Sequence, residues 1–173
     1  HFRGLEAAWE IPAYEDTAIN GQWVKAPGKA LLNAINIALG DIPLVAEDLG
    51  IITPEVEELR DEFNLPGMKI LQFAFGDGPD NPYLPGNYVS NCVAYTGTHD
   101  NDTTLGWSEN LSDDDKRKIY DYLGNPQTSI PCALIHAALG SVANLAVIPM
   151  QDILELGSEH RMNTPGTTTG NWM

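Results

Sequence analysis

The chain has 173 residues, 43% of them hydrophobic and 19% charged, and its nine Lys and Arg against 24 Asp and Glu give a formal charge of −15. That is enough apolar material for a sizeable core in one domain or part of one, while the acidic field repels phosphate backbones and anionic membrane surfaces, which argues against nucleic acid and membrane as partners. No apolar run approaches the ~20 residues of a membrane span and no signal peptide opens the chain, which begins without Met at His1-Phe2-Arg3-Gly4 and so reads as a fragment or a processed product.

Residues 1–27 hold Trp9, Pro12, Gly21, Trp23 and Pro27 without sustained periodicity. They read as a long ordered loop with a short helix near Leu5 to Trp9. In 29–39 the apolar residues Leu31, Leu32, Ile35 and Leu39 keep helical spacing, and Gly40 is placed to end the helix. The apolar run 42–46 predicts a buried strand that stops on two adjacent acids, Glu47 and Asp48, and turns on Gly50. Thr53 and Pro54 then open a helix with Val56, Leu59 and Phe63 on one face. A second strand is expected over 68–73, followed by the Gly- and Pro-rich loop 76–87, and a third over 92–95, ending in Thr96-Gly97-Thr98-His99-Asp100-Asn101-Asp102. Ser112 caps a predicted helix that reaches Leu123 and stops at Gly124. A further helix over 130–139 precedes a fourth strand, 145–149, which runs into Met150-Gln151-Asp152, and the tail from Arg161 is a Gly/Thr-rich loop.

Four strands separated by helices imply a parallel sheet with right-handed crossovers, whose carboxyl ends share one edge. Glu47 and Asp48, Asp77, His99 and Asp100, and Gln151 and Asp152 would then meet on one surface. Taken singly, Glu47 and Asp48 read equally well as solvated loop acids or helix caps. As a set, several carboxylates with a His and aromatics in an acidic cleft suit chemistry on a sugar. Retaining glycosidic cleavage needs one carboxyl group as acid/base and another as nucleophile about 5 Å away. Phe73, Tyr83 and Trp9 offer faces for sugar rings, and serve equally as core packing or loop anchors. Asp100-Asn101-Asp102 supplies hard oxygens but lacks the spacing of a calcium loop, and no metal is expected. Cys92 and Cys132 lie among apolar neighbours without a CxxC pattern and read as buried free thiols, which favours a reducing, cytoplasmic setting. Two glycosylation sequons, at 101–103 and 110–112, have no other sign of secretion beside them.

His1-Phe2-Arg3-Gly4-Leu5-Glu6, Ala46-Glu47-Asp48-Leu49-Gly50, Gly67-Met68-Lys69 with Leu71-Gln72-Phe73-Ala74-Phe75, and Tyr95-Thr96-Gly97-Thr98-His99-Asp100-Asn101-Asp102-Thr103 resemble the 4-α-glucanotransferases called amylomaltases, or disproportionating enzymes. The match runs in the family's order from His1 through Arg161-Met162-Asn163 to Asn171-Trp172. It implies a (β/α)8 TIM barrel of the α-amylase superfamily, of which residues 1–173 form a partial catalytic domain, the second half with strands five to eight. It also implies transfer of α-1,4-glucan segments from a malto-oligosaccharide donor to a glucose or malto-oligosaccharide acceptor, with no cofactor. By the same resemblance Glu47 matches the general acid/base and Asp100 the carboxylate that stabilises the transition state. His99 matches a donor-side sugar contact, Phe73 and Asp77 match acceptor-side positions, and His1 joins the substrate-binding set. The family's nucleophile is the Asp immediately before His-Phe-Arg-Gly, so it falls ahead of His1, and residues 1–173 by themselves are expected to be inactive. An α-amylase-type hydrolase, with water in place of the acceptor, and a non-catalytic carbohydrate-binding or structural α/β fragment are the alternatives to this reading.

Overall fold

Helix α1 (Arg3–Glu6) runs directly into β1 (Ala7–Glu10), which pairs antiparallel with β2 (Gln22–Lys25) so that Trp9 stands opposite Trp23. A hairpin therefore occupies the stretch expected to be loop, and the short helix expected near Leu5 to Trp9 lies instead at Arg3–Glu6, with Ala7–Glu10 extended. Its determinants are non-local and leave no periodicity to read: the Trp9 and Trp23 rings meet edge to face at 5.4 Å, Trp9 Nε1–H donates to the Ala18 carbonyl at 2.8 Å, and the Arg3 guanidinium lies 3.9 Å over the Trp23 ring. The computed structural model describes residues 1–173. It has an α/β fold and divides into two units, His1–Met68 and Lys69–Met173.

In the first unit, α2 (Gly28–Leu39) ends on Gly40 at φ 73°, and α3 (Pro54–Glu62) begins with proline in its first turn, as the sequence predicts. Thr53 occupies the N-cap position of α3 without a side-chain bond to the helix. Phe2, Leu32, Ala46, Val56 and Leu59 form the core of this unit, each large side chain contributing roughly 1.5–3 kcal/mol by leaving water.

The strand expected over 42–46 does not form. Pro43 and Pro66 carry no N–H, so a ladder between their two segments would lack a donor on each side. One backbone bond, Ala46 N–H to the Pro66 carbonyl at 2.9 Å, joins them. Where a further carbonyl would receive the Met68 N–H, the Asp48 side chain takes it at 2.7 Å. The segment is thus extended but tethered by a carboxylate, and only Ala46 and Asp48 within it are buried.

The sheet has three strands in place of four, in the order β3 (Gly67–Ile70), β4 (Cys92–Tyr95), β5 (Leu145–Val147), and no barrel closes within the chain. β4 and β5 run parallel, with Val93 beside Leu145 and Tyr95 beside Val147. β3 is shorter than predicted because Leu71–Phe73 tighten into a 3-10 turn. β5 stops at Val147, two residues before Pro149, which caps α7 (Met150–Ile153). Around the sheet stand α4 (Thr104–Glu109), which sequence periodicity does not predict, α5 (Asp113–Tyr122) and α6 (Ile130–Leu139). The hydroxyls of Ser112 and Ser129 cap α5 and α6 by accepting from Asp115 N–H and Cys132 N–H. Leu71, Cys92, Ala94, Ile119 and Leu134 are central to the core of the second unit. Cys92 is buried and Cys132 half-buried, neither of them in a disulfide.

Candidate active site

The adjacent acids of the first unit have different fates. Asp48 is 8% exposed, and both its oxygens are taken: Oδ2 by Arg60 Nη1 at 2.6 Å and Oδ1 by the Met68 N–H. Burial would lower the pKa of the Arg60 guanidinium, but hydrogen bonds to Asp48 and Asp61 outweigh it and hold the group above its ordinary value. Gly67 belongs to this arrangement, since a Cβ there would lie 2.3 Å from Asp48 Oδ2. Glu47 is exposed, and its carbonyl accepts the Phe2 N–H at 2.9 Å. That bond brings the His1-Phe2 stretch against Glu47, and a Cβ on Gly50 would stand 3.8 Å from His1 Nε2. Of the predicted site residues, His1 and Glu47 are therefore gathered here. Asp48 is a tether for the backbone that carries Glu47.

In the second unit the loop after β4 carries His99 and Asp100, both exposed. Inside the loop, Asn101 Oδ1 accepts from Thr98 N–H and Thr98 Oγ1, each at 2.8 Å, and Asp102 Oδ2 accepts from Ser158 Oγ at 2.8 Å. Gln72 donates Nε2–H to the Asp102 carbonyl at 2.9 Å, and a Cβ on Gly97 would stand 2.6 Å from that nitrogen, so a larger residue there would displace the Gln72 amide. Asp152, grouped on sequence with the strand-end acids, is buried and accepts from Thr96 Oγ1, Thr104 N–H and Thr104 Oγ1.

The Asp100 carboxylate is steadied from the tail. Oδ1 accepts from Asn163 Nδ2 at 2.6 Å, the Asp100 carbonyl accepts from Arg161 Nη2 at 3.0 Å, and Oδ2 stands 3.4 Å from His99 Nε2. The His99 ring lies 5.2 Å from that of Trp172. Trp172 adopts φ 60°, uncommon for a bulky residue, and its N–H donates to the Met162 carbonyl at 2.7 Å. Phe73 is 43% exposed and meets Tyr83 edge to face at 5.5 Å. Asp77 is exposed in the loop beyond.

Sequence reasoning places His99 and Asp100 together and misses what holds them. Arg161, Asn163 and Trp172 sit in a tail read only as loop, although Arg161-Met162-Asn163 and Asn171-Trp172 lie within the family resemblance and offered the one available signal. Gln72 likewise lies in a stretch that carries the family resemblance, with no role read for it, and Asp152 carried no signal beyond being an acid after an expected strand. No group of three or more His, Cys, Asp or Glu side chains is arranged to hold a metal ion. Chemically, Glu47, Asp77 and Asp100 are exposed acids, open to proton transfer or to stabilising positive charge, whereas Asp48, Asp102 and Asp152 are engaged in holding backbone.

A family model described as 4-alpha-glucanotransferase matches residues 1–173. The chain is 58% identical over 175 residues to a 4-alpha-glucanotransferase of Synechocystis sp., covering 99% of this chain and 35% of that protein. It is 56% identical over 180 residues to one of Thermus thermophilus, covering 99% and 36%. Among solved structures, the amylomaltase from Streptococcus agalactiae in complex with acarbose superposes with a TM-score of 0.93 at 38% identity, over 99% of this chain and 35% of that one. The chain spans about a third of the length of the curated relatives it matches. With the match running from the first residue to the last, the chain belongs to the 4-alpha-glucanotransferase family.

Proposed function

We propose that the protein containing these residues is a 4-α-glucanotransferase that moves α-1,4-glucan segments from a malto-oligosaccharide donor to a glucose or malto-oligosaccharide acceptor by retaining double displacement. Residues 1–173 are assigned to a partial catalytic domain, strands five to eight of a (β/α)8 barrel, with the extended segment 42–46 in the place of the first of these strands. The family match over the whole chain carries this reading. The parallel pairing of β4 and β5 supports the barrel assignment, and two cysteines held outside any disulfide support a cytoplasmic location.

In this reading Glu47 protonates the leaving glycosidic oxygen, then removes the proton from the incoming acceptor's 4-hydroxyl. The exposure of Glu47 beside a fully engaged Asp48 supports that choice between the two acids. Asp100 stabilises the oxocarbenium-like charge, His99 and His1 bind sugar hydroxyls, and Phe73 and Asp77 serve the acceptor side. The nucleophile is assigned to the position immediately before His1. The Phe2 N–H to Glu47 carbonyl bond supports this, because a residue joined to His1 stands within about 7 Å of the Phe2 amide, close to the acid/base. No cofactor takes part.

The test uses the full-length protein on maltotriose. Glu47→Gln is expected to lower disproportionation by about 10²–10⁴-fold, and a fully active Glu47→Gln protein overturns the assignment. Redistribution of chain lengths is the expected product pattern. Release of reducing ends without longer products would identify a hydrolase instead.

A further inference from the structure

Asp152 is the most deeply buried carboxylate of the chain, 1% exposed, and its hydrogen bonds come from neutral donors alone. A carboxylate removed from water needs its lone pairs filled to be tolerated. Here they are filled from two places. Thr96 lies at the end of β4 and gives its hydroxyl to Oδ2, while Thr104 opens α4 and gives its N–H to Oδ1 at 2.7 Å and its hydroxyl to Oδ2 at 2.8 Å. The loop between those two threonines is the one that carries His99 and Asp100.

We propose that Asp152 is a positioning residue, clasping both ends of the 97–103 loop so that the Asp100 carboxylate is held where it stabilises the transition state; this rests on the glucanotransferase reading above. Asp152 does not reach the sugar itself. The cavity beside it, lined by Thr98, Asn101, Asp102 and Arg161 among others, has a volume of about 10 Å³, which admits no sugar ring. Gln72 supports the loop separately, through the Asp102 carbonyl and, at 3.4 Å, the Thr104 hydroxyl. Against these buried ties, the direct contacts to Asp100 from Asn163 and Arg161 are exposed. A working carboxylate must stay within about 0.5 Å of its productive position, and its supporting groups must themselves be locked by packing and hydrogen bonds. Loosening the clasp therefore costs transition-state stabilisation more than ground-state binding.

The experiment uses full-length protein, with folding checked by thermal melting. Asp152→Asn keeps the volume and one acceptor oxygen but turns an NH2 toward the threonine hydroxyls. It is expected to lower kcat on maltotriose by about 10–100-fold with KM changed less than about threefold, the pattern of an interaction made only in the transition state. If Asp152→Asn does not fold, the threonines carry the test: Thr104→Val lowers kcat about tenfold, the size of one hydrogen bond, while Thr104→Ser, which keeps the hydroxyl, retains the parent kcat. The donor α-maltosyl fluoride distinguishes the route. Its leaving group, fluoride, needs no protonation, so Glu47→Gln regains donor cleavage on it, whereas Asp152→Asn and Thr104→Val stay impaired, as Asp100→Asn does. A parent kcat in Asp152→Asn or Thr104→Val, or a loss rescued by the fluoride donor, overturns the positioning role alone. A parent protein inactive on maltotriose overturns the glucanotransferase reading and this role with it.

Discussion

The two acid-bearing stretches, one in each unit, keep an exposed carboxylate in place by opposite means. In His1–Met68, Glu47 is held by its immediate neighbour, Asp48, whose side chain is 6% exposed and ion-paired with an Arg60 side chain 17% exposed. In Lys69–Met173, Asp100 is held by residues distant in sequence, through hydrogen bonds in which the buried acid Asp152 faces hydroxyls and a backbone N–H. The first is an ionic tether, in which losing one partner strands a charge in a largely dry place. The second is a distributed clasp, in which each bond contributes about 1 kcal/mol and the loss of one leaves others standing. The ionic device should therefore fail abruptly in stability, and the clasp gradually and in activity.

The largest stability effect separates the two. Asp48→Ala leaves the Arg60 guanidinium without its main partner and the Met68 N–H without an acceptor, and is expected to cost about 2–4 kcal/mol, read from urea unfolding. A cost below about 1 kcal/mol would place the pair in the class of solvent-screened surface bridges and break the contrast. Gly67→Ala is expected to cost about 1–3 kcal/mol by driving a Cβ against Asp48 Oδ2. In an Asp48→Ala background that cost should shrink, because the atom it strikes has gone. Strictly additive costs would show that the strain lies elsewhere.

The same contrast explains what could be read in the sequence. The helices α2, α3, α5 and α6, with their glycine stops and serine caps, are local devices and follow from spacing. The β1–β2 hairpin depends on Trp9 meeting Trp23 across a turn, and the missing strand at 42–46 depends on Pro66 lying beside it, so neither is visible in a window of neighbouring residues. At the site, Glu47-Asp48 and His99-Asp100 announce themselves as adjacent polar pairs after apolar runs. Which member of the first pair is engaged is decided by Arg60, one helix away. The supports of Asp100 come from the tail and from α7, and nothing in the residues around Asp152 distinguishes a buried clasp from a solvated acid.

A smaller effect sharpens the comparison at the ligand side. Phe73 presents a half-open face braced edge to face by Tyr83, over which Lys69 Nζ stands 5.6 Å from the ring centroid. It is not part of either carboxylate's support. Phe73→Ala in the full-length protein is therefore expected to raise the KM for acceptor glucose about 3–10-fold, the size of one aromatic contact, with kcat little changed. An unaltered acceptor KM would assign Phe73 to packing.

The smallest effect concerns pH. Tyr88 lies in the core of the second unit, its hydroxyl buried without a hydrogen-bond partner, and burial pushes the phenol's pKa well above its ordinary value of 10.0. The sign follows from which state holds the proton more tightly. Below pH 10 both folded and unfolded chains carry it, and the contribution to stability is fully present. Above pH 10 the unfolded phenol ionises while the folded one does not, so stability falls with rising pH until the folded value is passed. Tyr95, whose phenol is raised by burial as well, adds to the same decline. In the first unit the Arg60 guanidinium is raised above its ordinary value, so its pairing with Asp48 loses nothing through Arg60 in this window. Tyr88→Phe removes a hydroxyl that satisfies nothing, so stability at pH 7 should stay within about 1 kcal/mol of the parent or rise. Between pH 10 and 11 the urea midpoint of the variant should fall less steeply than the parent's, the rest of the decline coming from Tyr95 and from the paired Lys25 and Lys118, whose pKa values are raised by Glu6 and Asp115. Parallel declines in the two proteins would remove Tyr88 from the account of alkaline instability.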